Sequence, residues 1–433
     1  MNHPLRRTLA GEAHARPFMR FAAPAQVTHL AVFAAAAPGR YEEALATLCR
    51  HFAVPGPAAG AQHFSHDFGV FRLKWENHTE FCTFTFLGPP GAAGAFAESP
   101  TARIPQAWLA TLAGAVLAAA HIVVEQGEPL APDDARLQSS FPVPPLVGSR
   151  VLQGGEVWTD FHVGADGFSR FLVRDTGLRE NQTGRLVQRI CEIETYRMVA
   201  LLALPLARRS GPQLAGIESA LVALSRRVES ELGRTAEETL LHELSGLAAR
   251  VEALGLETGY RYSAAQAYYR LVKTRTQELR EQRIEGVPTI DGFMDRRLSP
   301  AIDTCVAAAA HQERLANKIA RVNDLLRTRV NIGQERQTQA VLESLSQSAR
   351  LQVRLQRAVE GLSVVAISYY VVGLLAYLLK GVKGAGLGLE VDLAVGVLLP
   401  IACAATWWGL HRLRRAVDHA PAASSRVPAP NRP

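Results

Sequence analysis

A chain of 433 residues with 48% hydrophobic and 20% charged side chains is built to fold, with room for two or three cores, and its mean hydropathy of +0.03 points to an apolar segment hidden in the average. The net charge of +7 suits an anionic partner, but no nucleic-acid motif accompanies it and the cations lie beside apolar runs, so lipid phosphate is expected and nucleic acid is not. Five scattered cysteines, Cys49, Cys82, Cys191, Cys305 and Cys403, form no C-x-x-C pair, which excludes a disulfide frame or a zinc site and fits reduced thiols in a cytoplasmic compartment.

The N-terminal "MNHPLRRTLAGEAHARP" is basic but lacks the apolar core of a signal peptide. Within it Glu12, His14 and Arg16 precede Pro17 and read as a polar clasp onto the domain, with ligand contact as the rival reading. A short apolar run, Val27 to Phe33, predicts a strand, and a helix follows from about Arg40 to Phe52, bounded by "PGPAAG". "HFSHD" offers His63, His66 and Asp67, but this spacing is common by chance and no metal or cofactor is assigned to it. In "FGVFRLKWEN", Phe71, Leu73 and Trp75 alternate with Arg72, Lys74 and Glu76, and "HTEFCTFTF" continues with bulky residues. Together they predict a hairpin turning near Asn77 and His78, with His78 and Glu80 as further polar candidates. A helix from Pro105 to Leu117 then leads to the strand "HIVVEQ". This order of strand, helix, strand, strand, helix, strand predicts an α+β domain of ferredoxin-like arrangement over residues 1–205. A second hairpin turns at Asp166 and Gly167, and a helix from Asn181 to Leu204, ended by Pro205, closes the domain.

That closing helix carries "RICEIETYRM". At helical spacing Val187, Ile190, Cys191, Met198 and Leu201 form a stripe with Glu194 near its centre and Arg197 at its edge. A carboxylate so placed needs a cation, either Arg197 or a residue from elsewhere such as Arg16, as a structural ion pair or as part of a ligand pocket. Arg185, Arg189, Glu192 and Tyr196, on the opposite face, are expected to be solvated or to meet a partner.

From Gly211 to Glu360 the pattern is helical and predicts a stalk domain over 211–360. Gly255 and Gly259 are expected to break it, Ser263 to cap a helix ended by Gly286, and Ser299 with Pro300 to open another that continues past Gly333 into the next segment. Val341, Leu345, Leu355 and Val359 make a seam interrupted by Ser348 and Gln352, too polar for heptads alone to give the number of strands in the expected coiled coil and homo-oligomer.

Two uncharged runs follow, within 361–411. "LSVVAISYYVVGLLAYLL", residues 362–379, would span roughly 27 Å as a helix, close to a hydrocarbon core. "LAVGVLLPIACAATWWGL", residues 393–410, ends in the headgroup-type pair Trp407 and Trp408, and its Pro400 is tolerable beside a second helix. Arg350, Arg354 and Arg357 before the first run, and Arg412, Arg414 and Arg415 after the second, predict a transmembrane hairpin in an inner membrane with both termini cytoplasmic. The glycines of "KGVKGAGLGLEVD" lack the strand and G-K-[ST] of a phosphate loop, and the tail, 412–433, reads as basic and then disordered.

"EAHARPF", "HTEF", "EIETYRM", "YRYSAAQAYY", "DRRLSPAIDTC", "LLRTRV" and "LQRAVEGLSVVAISYY" together resemble the bacterial membrane-anchored family catalogued as domain of unknown function 3422, over nearly the whole chain. Cys191 and Thr338 depart from the leucine and asparagine expected there. The resemblance implies membrane anchoring and no particular activity. A looser architectural likeness to CorA-type magnesium channels lacks their Gly-Met-Asn signature, where this chain reads "KGVKGAG". No serine-hydrolase, zinc-protease, Walker or dinucleotide motif is present. The function expected is therefore a non-enzymatic scaffold tethered to lipid, whose cytoplasmic domain senses a small molecule or recruits a protein. The alternatives are a CorA-like oligomeric cation channel and a membrane-tethered enzyme of unknown chemistry.

Overall fold

Strands dominate the first 175 residues because β-branched and aromatic side chains recur there at every second position. The computed structural model describes residues 3, 6, 18–33, 40–58, 60–91, 95–96, 100–230, 234–384 and 391–418. Eight strands, β1 (Ala25–Phe33), β2 (His63–Asp67), β3 (Arg72–Asn77), β4 (Phe81–Gly88), β5 (Val116–Gln126), β6 (Val147–Val151), β7 (Gly155–Thr159) and β8 (Ser169–Asp175), join the short β9 (Gln282–Arg283). They form one nine-stranded sheet in the order β2-β3-β4-β1-β5-β8-β7-β6-β9. All neighbours are antiparallel except β5 and β8, so the sheet is mixed and the protein is α+β. The connections are α1 (Arg40–His51) between β1 and β2 and α2 (Gln106–Thr111) between β4 and β5, with α3 (Ala135–Ser140) before β6. The hairpin from β7 to β8 turns at Gly167, whose φ of +83° suits glycine.

The two faces of the sheet are unlike. On one, Leu30, Val32, Leu73, Trp75, Phe84 and Phe86 pack under Leu45 and Leu48 of α1 and Trp108 of α2. Trp108 Nε1 donates to the Ala44 carbonyl at 2.7 Å, which ties the two helices. The other face is covered by α4 (Glu180–Leu201), whose Leu186, Val187, Ile190 and Ile193 meet Ile122, Val124, Phe171 and Val173. This same core takes in Ala203 and Ala207 of α5 (Ala203–Ser230), Tyr262, Ala265 and Val272 of α6 (Arg234–Glu278), and Met294 of α7 (Ile290–Arg297). Helices expected in a separate stalk thus complete the sheet's own core. Their far ends form a second, leucine-rich core, where Ile217, Leu221 and Leu224 of α5, at helical spacing, meet Leu244 and Val251 of α6 and, from α8 (Ser299–Gly384), Leu315 and Ile319.

Several helix limits differ from expectation for local reasons. Pro205 falls in the first turn of α5, where a missing N–H costs no hydrogen bond, so the break comes earlier, at Leu202. α6 passes through Gly255, Gly259 and Ser263 without interruption. A Cβ at Gly255 would lie 2.8 Å from Gln312 Nε2, so this glycine serves close approach rather than a break. The helix ends at Glu278, before Gly286, because Arg280 turns the chain with φ 51°. Glu281 then accepts from the backbone of Ile290 and Asp291 at 2.8 and 2.9 Å and from Ser149, capping α7.

The chain divides into two compact units, Met1–Arg327 and Thr328–Pro433. In the second, the rest of α8 and α9 (Val391–Asp418) carry both apolar runs. α8 continues through Gly333 as expected and holds one stretch long and apolar enough to cross a membrane, by length and composition. The second run is apolar over Val395–Gly409 among the described residues. Ser368 Oγ of α8 donates to Thr406 Oγ1 of α9 at 3.4 Å, beside the buried Val372 and Ala402.

Gly184 of α4 marks where the chain entering β1 crosses the helix: a Cβ there would stand 1.9 Å from the Met19 carbonyl oxygen. Gly184→Ala is predicted to cost about 1–3 kcal/mol, as overpacking against backbone does, read as a lower denaturation midpoint of the full chain. An unchanged midpoint would mean that the crossing is not made.

Candidate functional site

Register places one polar set on the sheet face beneath α4. His29 lies opposite Thr85, Lys74 opposite Thr85, and Glu76 opposite Thr83, so all five side chains share that face. Three strands supply them: β1, β3 and β4. The face is apolar where β5 and β8 run and polar here, and at this transition a cavity of about 220 Å³ opens, room for about seven waters at ~30 Å³ each. α4 contributes Gln188, Cys191, Glu192, Thr195 and Tyr196 to its lining, α6 contributes Arg275, and Phe21, Phe81 and Val187 add apolar wall.

At the floor sits His29, buried, with Nδ1 bonded to Thr85 Oγ1 at 2.8 Å and Nε2 to Thr195 Oγ1 at 2.9 Å. Burial, then the charges of Lys74 and His78, lowers its pKa to about 3, so it is neutral at pH 7. A chain of polar contacts crosses one wall. Lys74 Nζ pairs with Glu76 at 3.1 Å and donates to Gln188 Oε1 at 3.3 Å; Gln188 Nε2 donates to Glu192 at 2.8 Å; and Glu192 accepts from Arg275. Arg275 and Arg189 both continue to Glu278. Lys74 has three N–H donors and two of them are used among the described residues. Thr83, 4% exposed, has a hydroxyl with no hydrogen-bond partner in the described structure. Both of His29's nitrogens are held by threonines and burial raises the Cys191 thiol, so neither presents an activated nucleophile paired with a carboxylate-oriented base.

The residues singled out from sequence fall in three places. Glu12, His14 and Arg16 lie outside the described residues. His78 lines the cavity and stacks on Phe81, with ring centroids 4.5 Å apart. Glu80, two residues on, instead bonds Arg261 of α6 at 2.5 Å, and burial together with Glu80 pushes the Tyr268 phenol up. Glu194 and Arg197 pair in bidentate fashion at 2.6 and 2.7 Å, and Ser169 Oγ of β8 donates to Glu194 at 2.9 Å. Arg197 also lies 5.1 Å over Phe161, and neither member of the pair lines the cavity. Glu192 and Tyr196, expected to be solvated or to meet a partner, face the cavity because α6 packs along that side of α4. His63 and His66, three apart on β2, point to opposite sides of the strand, and no group of three or more His, Cys, Asp or Glu is placed to hold a metal among the described residues. Sequence reasoning missed His29, Thr83, Thr85, Thr195 and Arg275. The alternation of Lys74 and Glu76, and of Thr83 and Thr85, was the available signal; nothing marked Arg275, which comes from a distant helix.

The buried imidazole makes stability pH-dependent. Between about pH 6.5 and 3 the unfolded chain binds a proton at His29 that the folded chain refuses, so stability is full above 6.5 and falls as pH drops, by roughly 1.4 kcal/mol per unit. His121, lowered to about 4 chiefly by burial, acts in the same direction. Denaturation midpoints measured from pH 7 to 4 are expected to fall less steeply in His29→Asn than in the natural protein; equal slopes would count against a neutral buried His29.

Comparison with known proteins adds a family and little else. No curated protein matches this chain. A solved structure described as the structure of the full-length CmaX protein is similar at 14% identity, covering 69% of this chain and 89% of that one, but with a TM-score of 0.13 it carries no argument. The family model described as protein of unknown function, DUF3422, matches residues 1–417, and the chain belongs to that family.

Proposed function

We propose that this protein is a membrane-anchored receptor for a small polar molecule, bound in the cavity between β1, β3, β4 and α4. The observation that carries the reading is the hydroxyl of Thr83, a cavity-lining residue opposite Glu76, buried without a partner on the sheet face where the Lys74 ammonium has a donor to spare. An unsatisfied buried hydroxyl costs about 1–3 kcal/mol, which a bound acceptor or donor would recover. Two cations, Lys74 and Arg275, and two anions, Glu76 and Glu192, line the site and cancel, so a ligand of no net charge leaves no buried charge uncompensated. A zwitterion fits best: its anionic end meets Lys74, its cationic end meets Glu76, and any apolar body rests on Phe21 and Phe81. The connection order of β1, α1, β3, β4, α2 and β5, with β3-β4-β1-β5 adjacent, supports a ferredoxin-like reading of this half of the sheet. Glu194 and Arg197 then fix α4 on β8 rather than touch ligand.

Anchoring rests on the second unit. Only 11% of the most apolar window of α8 is buried, unlike the core helix of a soluble protein, and Leu362, Val365, Tyr369, Leu374 and Leu378 are exposed. With 393–410 as its partner, the arginines flanking the pair favour an inner-membrane hairpin with both termini cytoplasmic.

The free α-amino acids serve as zwitterionic probes, compared with their decarboxylated amines and deaminated acids by thermal shift of the full chain. Stabilisation by a zwitterion, lost by at least tenfold in apparent affinity in Thr83→Val, is expected; because that substitution also removes an unsatisfied hydroxyl, the unliganded variant should be about 1 kcal/mol more stable. Binding undiminished in Thr83→Val, or confined to singly charged probes, would overturn the ligand reading. Separately, the purified chain should float with lipid vesicles in a density gradient and resist extraction by salt; a chain dispersed without detergent would overturn the anchor.

A further inference from the structure

In the second unit every residue from Asn331 to Val359 is exposed, and at 1.5 Å per residue this is roughly 43 Å of helix open on all sides. An isolated helix of that kind is marginal in water, and this one includes Gly333 and several β-branched residues. Its apolar side chains are large: Val341, Leu342, Leu345, Leu351, Leu355 and Val359 are all exposed. The charges are confined. Between Gln337 and Val359 the charged residues are Glu343, Arg350, Arg354 and Arg357, which at 3.6 residues per turn fall within an arc of about 60°. The opposite side is centred on Val341, Leu345, Ser348, Gln352, Leu355 and Val359, a 4-3 spacing. The positions flanking that seam are also uncharged, namely Leu342, Ala349 and Gln356 on one side and Ser344, Leu351 and Ala358 on the other.

We infer that this helix face is the interface between copies of the same chain, and that more than two copies meet there. Two-stranded coils commonly flank a narrow seam with Glu and Lys, which stay in water and pair across it. Here both flanks are small, apolar or amide, so each helix has two faces to cover and one partner cannot cover both. A closed ring satisfies this, since every helix then uses one flank for each neighbour. Cyclic symmetry sets the helices parallel and in register, so Ser348 and Gln352 meet their own kind and specify alignment, while the arginines stay outside. The occupant is a second copy rather than a different protein because the charge-free face is flanked alike on both sides and so complements itself.

The test is the mass of the full chain in detergent, with light scattering corrected for bound detergent, for the natural protein and for two variants two residues apart: Leu345→Glu in the seam and Gln347→Glu on the outer side. The protein is expected at three or more times its 46.9 kDa chain mass, Gln347→Glu unchanged, and Leu345→Glu reduced to monomer, with an equal melting transition of the first unit in all three showing that its fold is retained. In addition, Leu345→Cys should form a disulfide between copies under mild oxidation and Gln347→Cys should not. A monomeric or dimeric natural protein, or equal mass for Leu345→Glu and Gln347→Glu, would overturn the proposal.

Discussion

His29 stands on β1, the strand at the middle of the first half-sheet, and both of its ring nitrogens are bonded, one to Thr85 on the neighbouring strand and one to Thr195 on α4. Burying an imidazole there without those partners would leave polar nitrogens unsatisfied, at about 1–3 kcal/mol each. The bond to Thr195 ties β1 to α4 and the bond to Thr85 stays within the sheet, and all three residues line the cavity. Lys74, Glu76, Gln188 and Glu192 follow from it: once the helix is held over a polar face, each charge must find another, and they do so in one continuous line ending at Arg275 and Glu278.

The two units solve opposite problems. In the first, a sheet with apolar side chains on both faces needs cover on both, which is why helices from residues 40 to 111 pack on one side and helices from 180 to 297 on the other. Late helices reaching back to early strands explain why one compact unit extends to Arg327. In the second unit, apolar side chains of α8 and α9 remain uncovered by the chain itself. On the readings proposed above, lipid covers the uncharged segment after residue 361 and other copies cover the charged one before it.

Much of the architecture was legible because it is written in local periodicity. The β3–β4 hairpin, the turn at Gly167, the helix of residues 180–201 and the opening of α8 at Ser299 each follow from spacing and from a turn or cap residue within a few positions. Glu194 with Arg197 was legible too, since one helical turn separates them. Pro205, Gly255 and Gly259 misled, because a proline in a first turn and glycines inside a long packed helix look in sequence like terminators. β2, β6 and β9 were missed: the polar His63–Asp67 stretch lacks an apolar alternation, two residues between helices carry no periodicity, and β9 exists only by pairing with β6.

Sequence alone determined that the chain is α+β, that its cysteines are scattered, and that uncharged apolar runs lie at residues 362–379 and 393–410; these are properties of neighbouring residues, which covalent order fixes. Tertiary structure decided which polar residues share a site. The alternation of β3 and β4 says only that Lys74, Glu76, Thr83 and Thr85 share a face, and a polar strand face is usually solvated. That α4 buries it, and that Arg275 arrives from a helix some eighty residues later, depends on strand order and on the register of packed helices. Those are set by summed burial over the whole core, and no short stretch of residues records them.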